Sequence, residues 1–507
     1  MGEIRKENLH QSLIEHLNSL GLTEDQVNNI VQEALANVNA KDLSQDEAMG
    51  IIQSAVNKAQ GEVDAVELEV DALQEFVNGH SHATIEQNIT NLQNAVNSKA
   101  DQSVVSNIGT LSNLLTSEKS SLVGATNEIF DMLCSMATKL SNVKQIACGN
   151  GQTFILKNDG SLWACGANSD GQLGLGDTTA RYTFTQVTTN INNDVKQIAC
   201  GVFHTFILKN DGSVWSCGNN GYGQLGLGDT TKRTTFTQVT TNINNDVKYI
   251  ACGQYHTFIL KNDGSVWSCG DNYYGQLGLN DTTDTDRKIF TKVTNNINND
   301  ATQIVCGQYH AFILKNDGSV WGCGKNNSGQ LGLGNTTTQI TFTKVTTNIN
   351  NDVKQIACGY NHTYILKNDG SIWVCGLNTD GELGFGDTTN RNTFTQVTTN
   401  INNDVKQIVG GQYHTIILKN DGSVWSCGSN GSGELGLGNT TDRNTFTKVT
   451  TNINNDVKQI ACGGYHTFIL KNDGSLCGCG YNSNVQLGLN DYNNRTTFTQ
   501  VNPFTIF

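Results

Sequence analysis

The feature that most constrains the fold of this chain is a unit repeated seven times in tandem. The copies begin at Val143, Val195, Val247, Ala301, Val353, Val405 and Val457, 52 residues apart except for the third copy, which has 54. Each copy contains four short apolar stretches, and four strands in a unit of this length are typical of a propeller blade. The repeats therefore predict an all-β, seven-bladed propeller over residues 143–507.

The second copy shows how the sequence specifies the four strands. The alternating stretch Val195–Gly201 ends at glycine, and a second strand follows over His204–Lys209. Asn210–Gly212 then supplies residues that tolerate the positive φ of a tight hairpin, and Val214–Cys217 returns as the third strand. Thr235–Val239 is the fourth strand.

A glycine-rich stretch, residues 220–228 in the second copy, separates the third and fourth strands. Its glycines allow the backbones of neighbouring blades to approach closely. A phosphate-binding loop is the functional alternative, but the stretch recurs in every copy and no helix pattern or Lys-Ser/Thr pair follows it. We interpret it as a structural loop.

Three motifs carry a family resemblance: Cys-Gly-x-x-His-Thr-x-x-Leu, Asp-Gly-x-Val-Trp-x-Cys-Gly-x-Asn and Gly-Gln-Leu-Gly. From Val143 to about Val501 the chain resembles the regulator of chromosome condensation repeat. The resemblance implies a closed ring that binds partners at its two faces and central opening. The wedge of the family's nucleotide-exchange members has no counterpart here. The tryptophan that plant ultraviolet photoreceptors carry two residues before the repeat histidine is replaced by Val202, Gln254, Gln308, Tyr360, Gln412 and Gly464.

Histidine recurs at one position in six copies, and Gln152 replaces it in the first. Imidazole is a common metal ligand, so a ring of metal ligands is one interpretation. A structural role is favoured, because each histidine belongs to the repeat motif and follows a turn where a ring nitrogen can complete hydrogen bonding. The six residues are His204, His256, His310, His362, His414 and His466.

No single reactive centre stands out in the repeats. Serine, histidine and aspartate recur in almost every copy, so any catalytic triad would exist six or seven times. A glycan hydrolase would need a cleft with paired carboxylates, whereas Asp170, Asp380, Glu382 and Glu434 fall in glycine-rich loops without an evident shared setting. We therefore expect the chain not to be an enzyme.

Aromatic residues vary between copies at turn positions, while core positions are repeated almost verbatim. Exposed tyrosines beside Asn and Gln suit stacking on sugars and hydrogen bonding to their hydroxyls, whereas a structural role would be to cover blade edges. The candidate receptor-binding residues are Phe203, Tyr255, Tyr309, Tyr360, Tyr413 and Tyr465 in the first turns, and Tyr222, Tyr273, Tyr274 and Tyr481 near the glycine-rich loops.

Charge divides the chain sharply. Residues 1–142 carry a net charge of −13 and the remainder −1. This balance disfavours nucleic-acid and anionic-membrane partners. No 18-residue apolar run or signal-peptide core is evident, so we expect synthesis in a bacterial cytoplasm without membrane insertion, and the 15 cysteines reduced.

Residues 1–142 predict an α-helical, coiled-coil region in three parts. Capping boxes at Thr23–Gln26 and Ser44–Glu47 predict short helices in an attachment region, residues 1–60. A coiled-coil stalk is expected over residues 61–116 and a helical neck over 117–142. The stalk seams are Val63, Val66, Val70, Leu73 and Val77, then Ile85, Ile89, Leu92 and Val96, then Val104, Ile108, Leu111 and Leu115. Their β-branched residues favour a homotrimer.

Asn97–Asp101 and Thr116–Phe130 resemble the neck of bacteriophage tail fibres. Those families imply an N-terminus docked to a tail baseplate protein and a C-terminal receptor-binding tip. His80 and His82 would place six imidazoles around a threefold axis, enough for octahedral iron, or would mark a register break in the coiled coil.

Two functions follow from the sequence. The first is a trimeric tail-fibre receptor-binding protein of a phage or phage-derived contractile particle, located in the virion tail, whose propellers bind a bacterial surface receptor, with glycan favoured. The alternative is a cytoplasmic protein-interaction or regulatory propeller with a coiled-coil oligomerisation arm.

Overall fold

Residues 143–501 form seven antiparallel four-stranded sheets, each built from one repeat. A computed structural model describes residues 4–5, 42–43, 143–281 and 286–501. In every sheet the strands are paired in chain order, first to fourth. The predicted all-β, seven-bladed propeller is confirmed. In the part of the chain described, no helix is long and apolar enough to cross a bilayer.

The strand bounds repeat closely from blade to blade. Blade 1 contains β3 Val143–Cys148, β4 Gln152–Lys157, β5 Leu162–Gly166 and β6 Arg181–Val187; blade 2 contains β7 Val195–Cys200, β8 His204–Lys209, β9 Val214–Gly218 and β10 Arg233–Val239; blade 3 contains β11 Val247–Cys252, β12 His256–Lys261, β13 Val266–Gly270 and β14 Arg287–Lys292; blade 4 contains β15 Ala301–Cys306, β16 His310–Lys315, β17 Val320–Gly324 and β18 Gln339–Lys344; blade 5 contains β19 Val353–Cys358, β20 His362–Lys367, β21 Ile372–Gly376 and β22 Arg391–Gln396; blade 6 contains β23 Val405–Gly410, β24 His414–Lys419, β25 Val424–Gly428 and β26 Arg443–Lys448; blade 7 contains β27 Val457–Cys462, β28 His466–Lys471, β29 Leu476–Gly480 and β30 Arg495–Val501.

In the N-terminal region, the described residues form two short strands, β1 Ile4–Arg5 and β2 Asp42–Leu43. They pair antiparallel, with Ile4 opposite Leu43. The helices expected in residues 1–60, the coiled-coil stalk, the neck and the His80–His82 site lie outside the described residues.

The first strand of each blade is innermost and contacts the first strands of both neighbours, so the seven close a ring. The apolar core lies between blades and not within one sheet. Phe206 and Leu208 of blade 2, for example, pack in one buried cluster with Ile250, Ile259 and Phe290 of blade 3. A blade alone would leave in water the apolar side chains that pack on its neighbours, so the blades stabilise one another.

A hydrogen-bonded relay joins neighbouring blades. The hydroxyl of Thr257 in blade 3 donates to the main-chain carbonyl of Gln224 in blade 2, at 2.9 Å. Nε2 of His204 in blade 2 lies 3.0 Å from the same hydroxyl. Because the threonine proton is already used, Nε2 of the histidine must be the donor, which fixes the tautomer. His310–Thr363, His414–Thr467 and His466–Thr153 repeat the pair at 2.9–3.1 Å.

The relay explains the glycine in the Cys-Gly-x-x-His motif. A Cβ on Gly201 would lie 2.2 Å from Cε1 of His204, so any side chain there would displace the ring. In blade 1, where Gln152 replaces the histidine, its side-chain amide donates directly to the carbonyl of Gly201, at 3.0 Å. Glutamine therefore maintains the link between blades by another route.

Two further side chains hold neighbouring blades together. The amide of Gln145 donates to the carbonyl of Ile198 at 3.0 Å, while its oxygen accepts the N–H of the same residue at 3.1 Å. Asn190, in the loop leaving blade 1, donates to the carbonyl of Phe236 at 2.8 Å. Both interactions pair main-chain groups of the next blade that the antiparallel ladder leaves open.

The contacts between blades 7 and 1 follow the same pattern, which closes the ring without exchange of a strand. The hydroxyl of Thr153 donates to the carbonyl of Gln486 at 2.8 Å and accepts from His466. An additional contact at this seam joins the hydroxyls of Tyr182 and Tyr492. Every strand of blades 1 and 7 comes from its own repeat.

The hairpin between the second and third strands differs in detail from the expectation. Of Asn210, Asp211 and Gly212, glycine alone has a positive φ, +81°. The N–H of Gly212 donates to the carbonyl of Lys209, and the Asp211 carboxylate accepts the N–H of Ser213 at 2.8 Å. The turn is therefore closed by one left-handed residue and an aspartate side chain.

Blade 4 provides a natural test of the relay, because Ala311 replaces its threonine and both ring nitrogens of His256 are buried without a partner. We expect Ala311→Thr to raise the free energy of unfolding by about 1 kcal/mol, and Thr363→Ala to lower it by about 1–3 kcal/mol. Urea titration measures both changes. Equal and same-signed effects of the two substitutions would contradict the relay.

Candidate functional site

The turns between first and second strands lie on one face, around the central opening. Their main chains are joined from blade to blade: the N–H of Gln254 donates to the carbonyl of Gln308 at 3.2 Å, and the N–H of Gln308 to that of Tyr360 at 3.0 Å. The N–H of Gln412 donates to Gly464 at 2.9 Å. We call these turns, together with the start of each glycine-rich loop, the mouth.

The predicted aromatic residues of blades 2 to 4 form an arc in the mouth, made of two groups of contacting rings. The rings of Phe203 and Tyr255 stack with centroids 5.9 Å apart, and Tyr222 lies 4.9 Å from Tyr255. Tyr274 and Tyr309 meet edge to face at 5.2 Å. The sequence separated these residues into two groups, whereas the fold brings both groups together.

A second arc lies in blades 6 and 7, where Tyr465 is 6.3 Å from both Tyr413 and Tyr481. Tyr360 of blade 5 lies between the arcs and reaches across the opening, donating from its hydroxyl to Asn150 of blade 1 at 3.3 Å. Burial, together with the neighbouring tyrosines of both arcs, raises the pKa of Tyr360. The first turns therefore converge on the axis.

The expectation that these rings are exposed holds for only two of them. Tyr222 is 41% exposed and Tyr273 63%, while the other eight are half-buried. The rings cover one another and the blade junctions, as the structural interpretation predicted. Their open edges still line the mouth, so they remain candidates for contact with a partner.

Three variable positions meet at each junction between blades. They are the residue two positions before the Gln or Glu of one blade's glycine-rich loop, and, from the next blade, the residue before the histidine (before Gln152 in blade 1) and the residue after the third strand. From junction 1–2 to junction 7–1 the sets are Asp170, Phe203 and Asn219; Tyr222, Tyr255 and Asp271; Tyr274, Tyr309 and Lys325; Ser328, Asn361 and Leu377; Asp380, Tyr413 and Ser429; Ser432, Tyr465 and Tyr481; and Asn484, Gly151 and Ala167.

Contacts at two junctions show what this arrangement does. At junction 1–2 the Asn219 amide donates to the Asp170 carboxylate at 2.9 Å. At junction 3–4 the Lys325 ammonium lies 5.3 Å from the ring centroids of both Tyr274 and Tyr309. Lys325 and Asn219 are not among the candidates drawn from the sequence, although the residue after the third-strand Cys-Gly differs from repeat to repeat.

Among the acidic side chains of blades 5 and 6, Asp380 and Glu382 are adjacent, because Oε2 of Glu382 accepts the N–H of Asp380 at 2.8 Å. Burial raises the pKa of Glu382 to about 7, and the nearby Asp380 carboxylate adds to the rise. Burial also raises the pKa of Asp380 and of Glu434. Asp170 lies apart, at junction 1–2, bonded to Asn219.

The repeat histidines lie between blades and not in a common site. All six are buried, and burial lowers the pKa of each to about 3, so they are neutral at pH 7. Within residues 143–281 and 286–501, no three His, Cys, Asp or Glu side chains are grouped in a way that could hold a metal ion.

The 14 cysteines in the described residues form no disulfide bond. Those at the ends of the first strands, such as Cys200 and Cys252, are half-buried near the axis, while those of the third strands, such as Cys217, are buried. Burial raises the pKa of all three thiols. They are therefore poor nucleophiles at neutral pH.

The fold and the repeated His–Thr junctions define a class of proteins, the seven-bladed propellers built from one four-stranded unit per blade. Residues 117–363 match the family model of the RCC1-like domain. Residues 369–418 and 421–470 match the model of the regulator of chromosome condensation (RCC1) repeat. The chain belongs to the family of RCC1-repeat proteins, which confirms the resemblance found in the motifs.

Curated relatives and solved structures extend this result. The chain is 29% identical over 347 residues to the ultraviolet-B receptor UVR8 of Arabidopsis thaliana, covering 68% of this chain and 78% of that protein. It is 31% identical to the probable E3 ubiquitin-protein ligase HERC4 of Mus musculus, covering 49% of this chain but only 28% of that protein. The structure of human WBSCR16 matches with a TM-score of 0.61 at 22% identity, covering 68% of this chain and 94% of that one.

The yeast RCC1 protein Prp20, solved bound to Kap60, matches with a TM-score of 0.60 at 20% identity, covering 71% of this chain and 85% of that chain. At these identities the structural likeness shows a shared fold.

The buried histidines predict strong acid sensitivity. Their pKa is about 3 in the folded chain and about 6.5 when unfolded, so between these values the unfolded chain binds more protons and stability falls as pH falls. Each histidine contributes up to about 1.4 kcal/mol per pH unit in this window. Glu382 and Glu434, whose pKa values are raised in the folded chain, have the opposite effect on the pH dependence of stability. They are two groups against six histidines, so the net stability still falls as pH falls.

Urea titrations from pH 7 to pH 5 should show this slope in the free energy of unfolding. His310→Gln should lower the slope by the contribution of one histidine, up to about 1.4 kcal/mol per pH unit. Gln152 in blade 1 shows that glutamine is accommodated at this position. A slope unchanged by His310→Gln would contradict the assignment.

Proposed function

We propose that the chain is a non-enzymatic interaction protein whose propeller binds a partner protein at the mouth. The observation that carries this proposal is the contrast between an almost invariant set of junction contacts and three side chains per junction that differ around the ring. Such an arrangement fixes the backbone of a surface while its chemistry varies, as specific recognition requires.

The chemistry of the mouth suits a protein partner. Aromatic rings are enriched at protein interfaces, because they bury large areas with few rotatable bonds. Tyrosines line both arcs, and polar amides such as Asn150, Gln254 and Asn361 lie among them. Glycan binding at these rings, expected from the sequence, remains a less supported use of the same surface.

The relatives support the same kind of role. Yeast RCC1 was solved bound to Kap60, and a Prp20p structure is described with its binding properties to Gsp1p and histones. For this chain a specific partner is a proposal, and the near-neutral propeller gives no reason to expect histones or DNA. Ligase activity does not carry over from HERC4, since the match covers 28% of that protein. Neither does light sensing, since the tryptophans of plant ultraviolet photoreceptors are absent from the first-turn series of copies two to seven.

The alternative drawn from the sequence is therefore better supported than the tail-fibre interpretation. No family model or relative reported above points to a phage fibre. That interpretation, with its baseplate partner, virion location and iron at His80 and His82, stays a prediction that depends on residues outside the described part of the chain.

Substitutions in the mouth test the proposal. We expect Tyr309→Ser to weaken capture of partner proteins by tenfold or more, because a central aromatic anchor at an interface contributes about 2 kcal/mol or more. Ile289→Thr is the matched control, since Ile289 is 37% exposed on an outer strand and other repeats carry threonine there. Affinity capture followed by quantitative mass spectrometry compares the two. Partners retained equally by both variants would exclude the mouth.

Self-association is a separate expectation. The heptad seams of residues 61–116 predict a trimer of 54.9 kDa chains. Light scattering on the intact chain measures its mass, and a monomer at micromolar concentration would contradict the oligomerisation arm.

A further inference from the structure

One junction of the mouth already holds a positive charge supplied by the chain itself. At junction 3–4 the Lys325 ammonium lies 5.3 Å from each of two ring centroids, Tyr274 and Tyr309. Partial burial lowers the pKa of Lys325. The three variable positions of a junction can therefore hold an ammonium group against aromatic rings, as cation–π attraction requires.

Junction 5–6 has the same backbone but different side chains. The N–H of Ser429 donates to the carbonyl of Tyr413 at 2.8 Å, as the N–H of Lys325 does to Tyr309 at 2.9 Å. Asp380 occupies the position of Tyr274, and Ser429 that of Lys325. The serine side chain is too short to reach where the ammonium lies, and its hydroxyl turns to the Glu434 carboxylate, at 3.3 Å.

Negative charge at this junction is not neutralised by the residues that the structure describes. The Asp380 carboxylate accepts no hydrogen bond from residues 143–281 or 286–501, whereas Asp170 at junction 1–2 is bonded to Asn219. Burial, and after it the Asp442 carboxylate, raises the pKa of Asp380. Asp442 accepts the N–H of Asn430 at 2.7 Å.

A buried, unpartnered oxygen faces the same junction. Glu382 is 0% exposed; its Oε2 accepts the N–H of Asp380 at 2.8 Å, and its Oε1 has no partner among the described residues. In blade 4 the equivalent Gln330 directs its side-chain nitrogen to Asn361, at 3.4 Å. The residue equivalent to Asn361 in the next blade is Tyr413.

We infer that junction 5–6 binds a lysine side chain of the partner protein, with the ammonium between the Tyr413 ring and the Asp380 carboxylate and within reach of Glu382. The inference rests on the proposed function and names the chemistry that the mouth selects. The partner's lysine takes the place that Lys325 fills at junction 3–4. Fixed carboxylates and a ring reduce the cost of removing the ammonium from water.

The test uses the full chain and a fluorescein-labelled peptide of four lysines separated by Gly-Ser, with a norleucine peptide as the neutral counterpart. We expect the lysine peptide alone to bind in low salt. Asp380→Asn should weaken binding about five- to tenfold through loss of one charge-assisted contact. Ser429→Lys should weaken it at least as much, because a tethered ammonium then fills the site.

Asp170→Asn is the matched control, since it removes the same charge from an equivalent position where Asn219 already satisfies the carboxylate. It should change affinity less than twofold. Equal losses in Asp170→Asn and Asp380→Asn would reduce the effect to net charge and overturn the inference, as would equal binding of the norleucine peptide. An arginine peptide that binds more tightly than lysine would also overturn the choice of lysine.

The outcome is separable from that of the proposed function. If Asp380→Asn has no effect on peptide binding while Tyr309→Ser still abolishes partner capture, the lysine site is wrong and the mouth remains the binding surface. If Tyr309→Ser leaves capture intact while peptide binding depends on Asp380, the proposed partner surface is wrong and the cation site stands.

Discussion

The propeller depends on a relay of two hydrogen bonds between neighbouring blades. A histidine of one blade donates to the hydroxyl of a threonine in the next blade, and that hydroxyl donates to a main-chain carbonyl of the first blade. This relay pairs Nε2 of the histidine with the threonine hydroxyl, and both groups, being fully buried, would cost free energy if left without a partner. It fixes the histidine tautomer and keeps the ring neutral. It also requires glycine at the end of the first strand, since the imidazole lies where a Cβ would be.

Departures from the repeat show how the relay tolerates change. Gln152 bonds the neighbouring main chain directly, while Ala311 leaves His256 unpaired. In blade 5, Tyr364 replaces phenylalanine and its hydroxyl bonds Thr415, which leaves His362 without its usual partner. Seven equivalent junctions and the apolar packing between blades all contribute to the stability of the ring. The ring can therefore close even though two junctions lack the His–Thr hydrogen bond.

Much of the fold was predictable from the sequence because the signal was repeated seven times. Strand bounds such as His204–Lys209 were predicted to the residue, and the fourth strand began two residues earlier than expected, at Arg233. Side-chain pairs between blades were not predictable. His204 and Thr257 are 53 residues apart, and nothing in either local motif indicates that the two meet. The helical and coiled-coil predictions lie outside the described residues.

The candidate site was predictable in composition but not in arrangement. The frequent tyrosines among the variable first-turn residues pointed to the mouth. The charge and contacts around each tyrosine, however, depend on residues contributed by the adjoining blade. Tyr309 contacts a lysine from its own blade and a tyrosine from the blade before. The carbonyl of Tyr413 accepts the N–H of Ser429, and the equivalent variable position of the blade before is Asp380. The same ring therefore has a positive neighbour at one junction and a negative one at another. A propeller of near-identical blades acquires direction around its axis in this way, because its variable positions carry a lysine at junction 3–4 and an aspartate at junction 5–6.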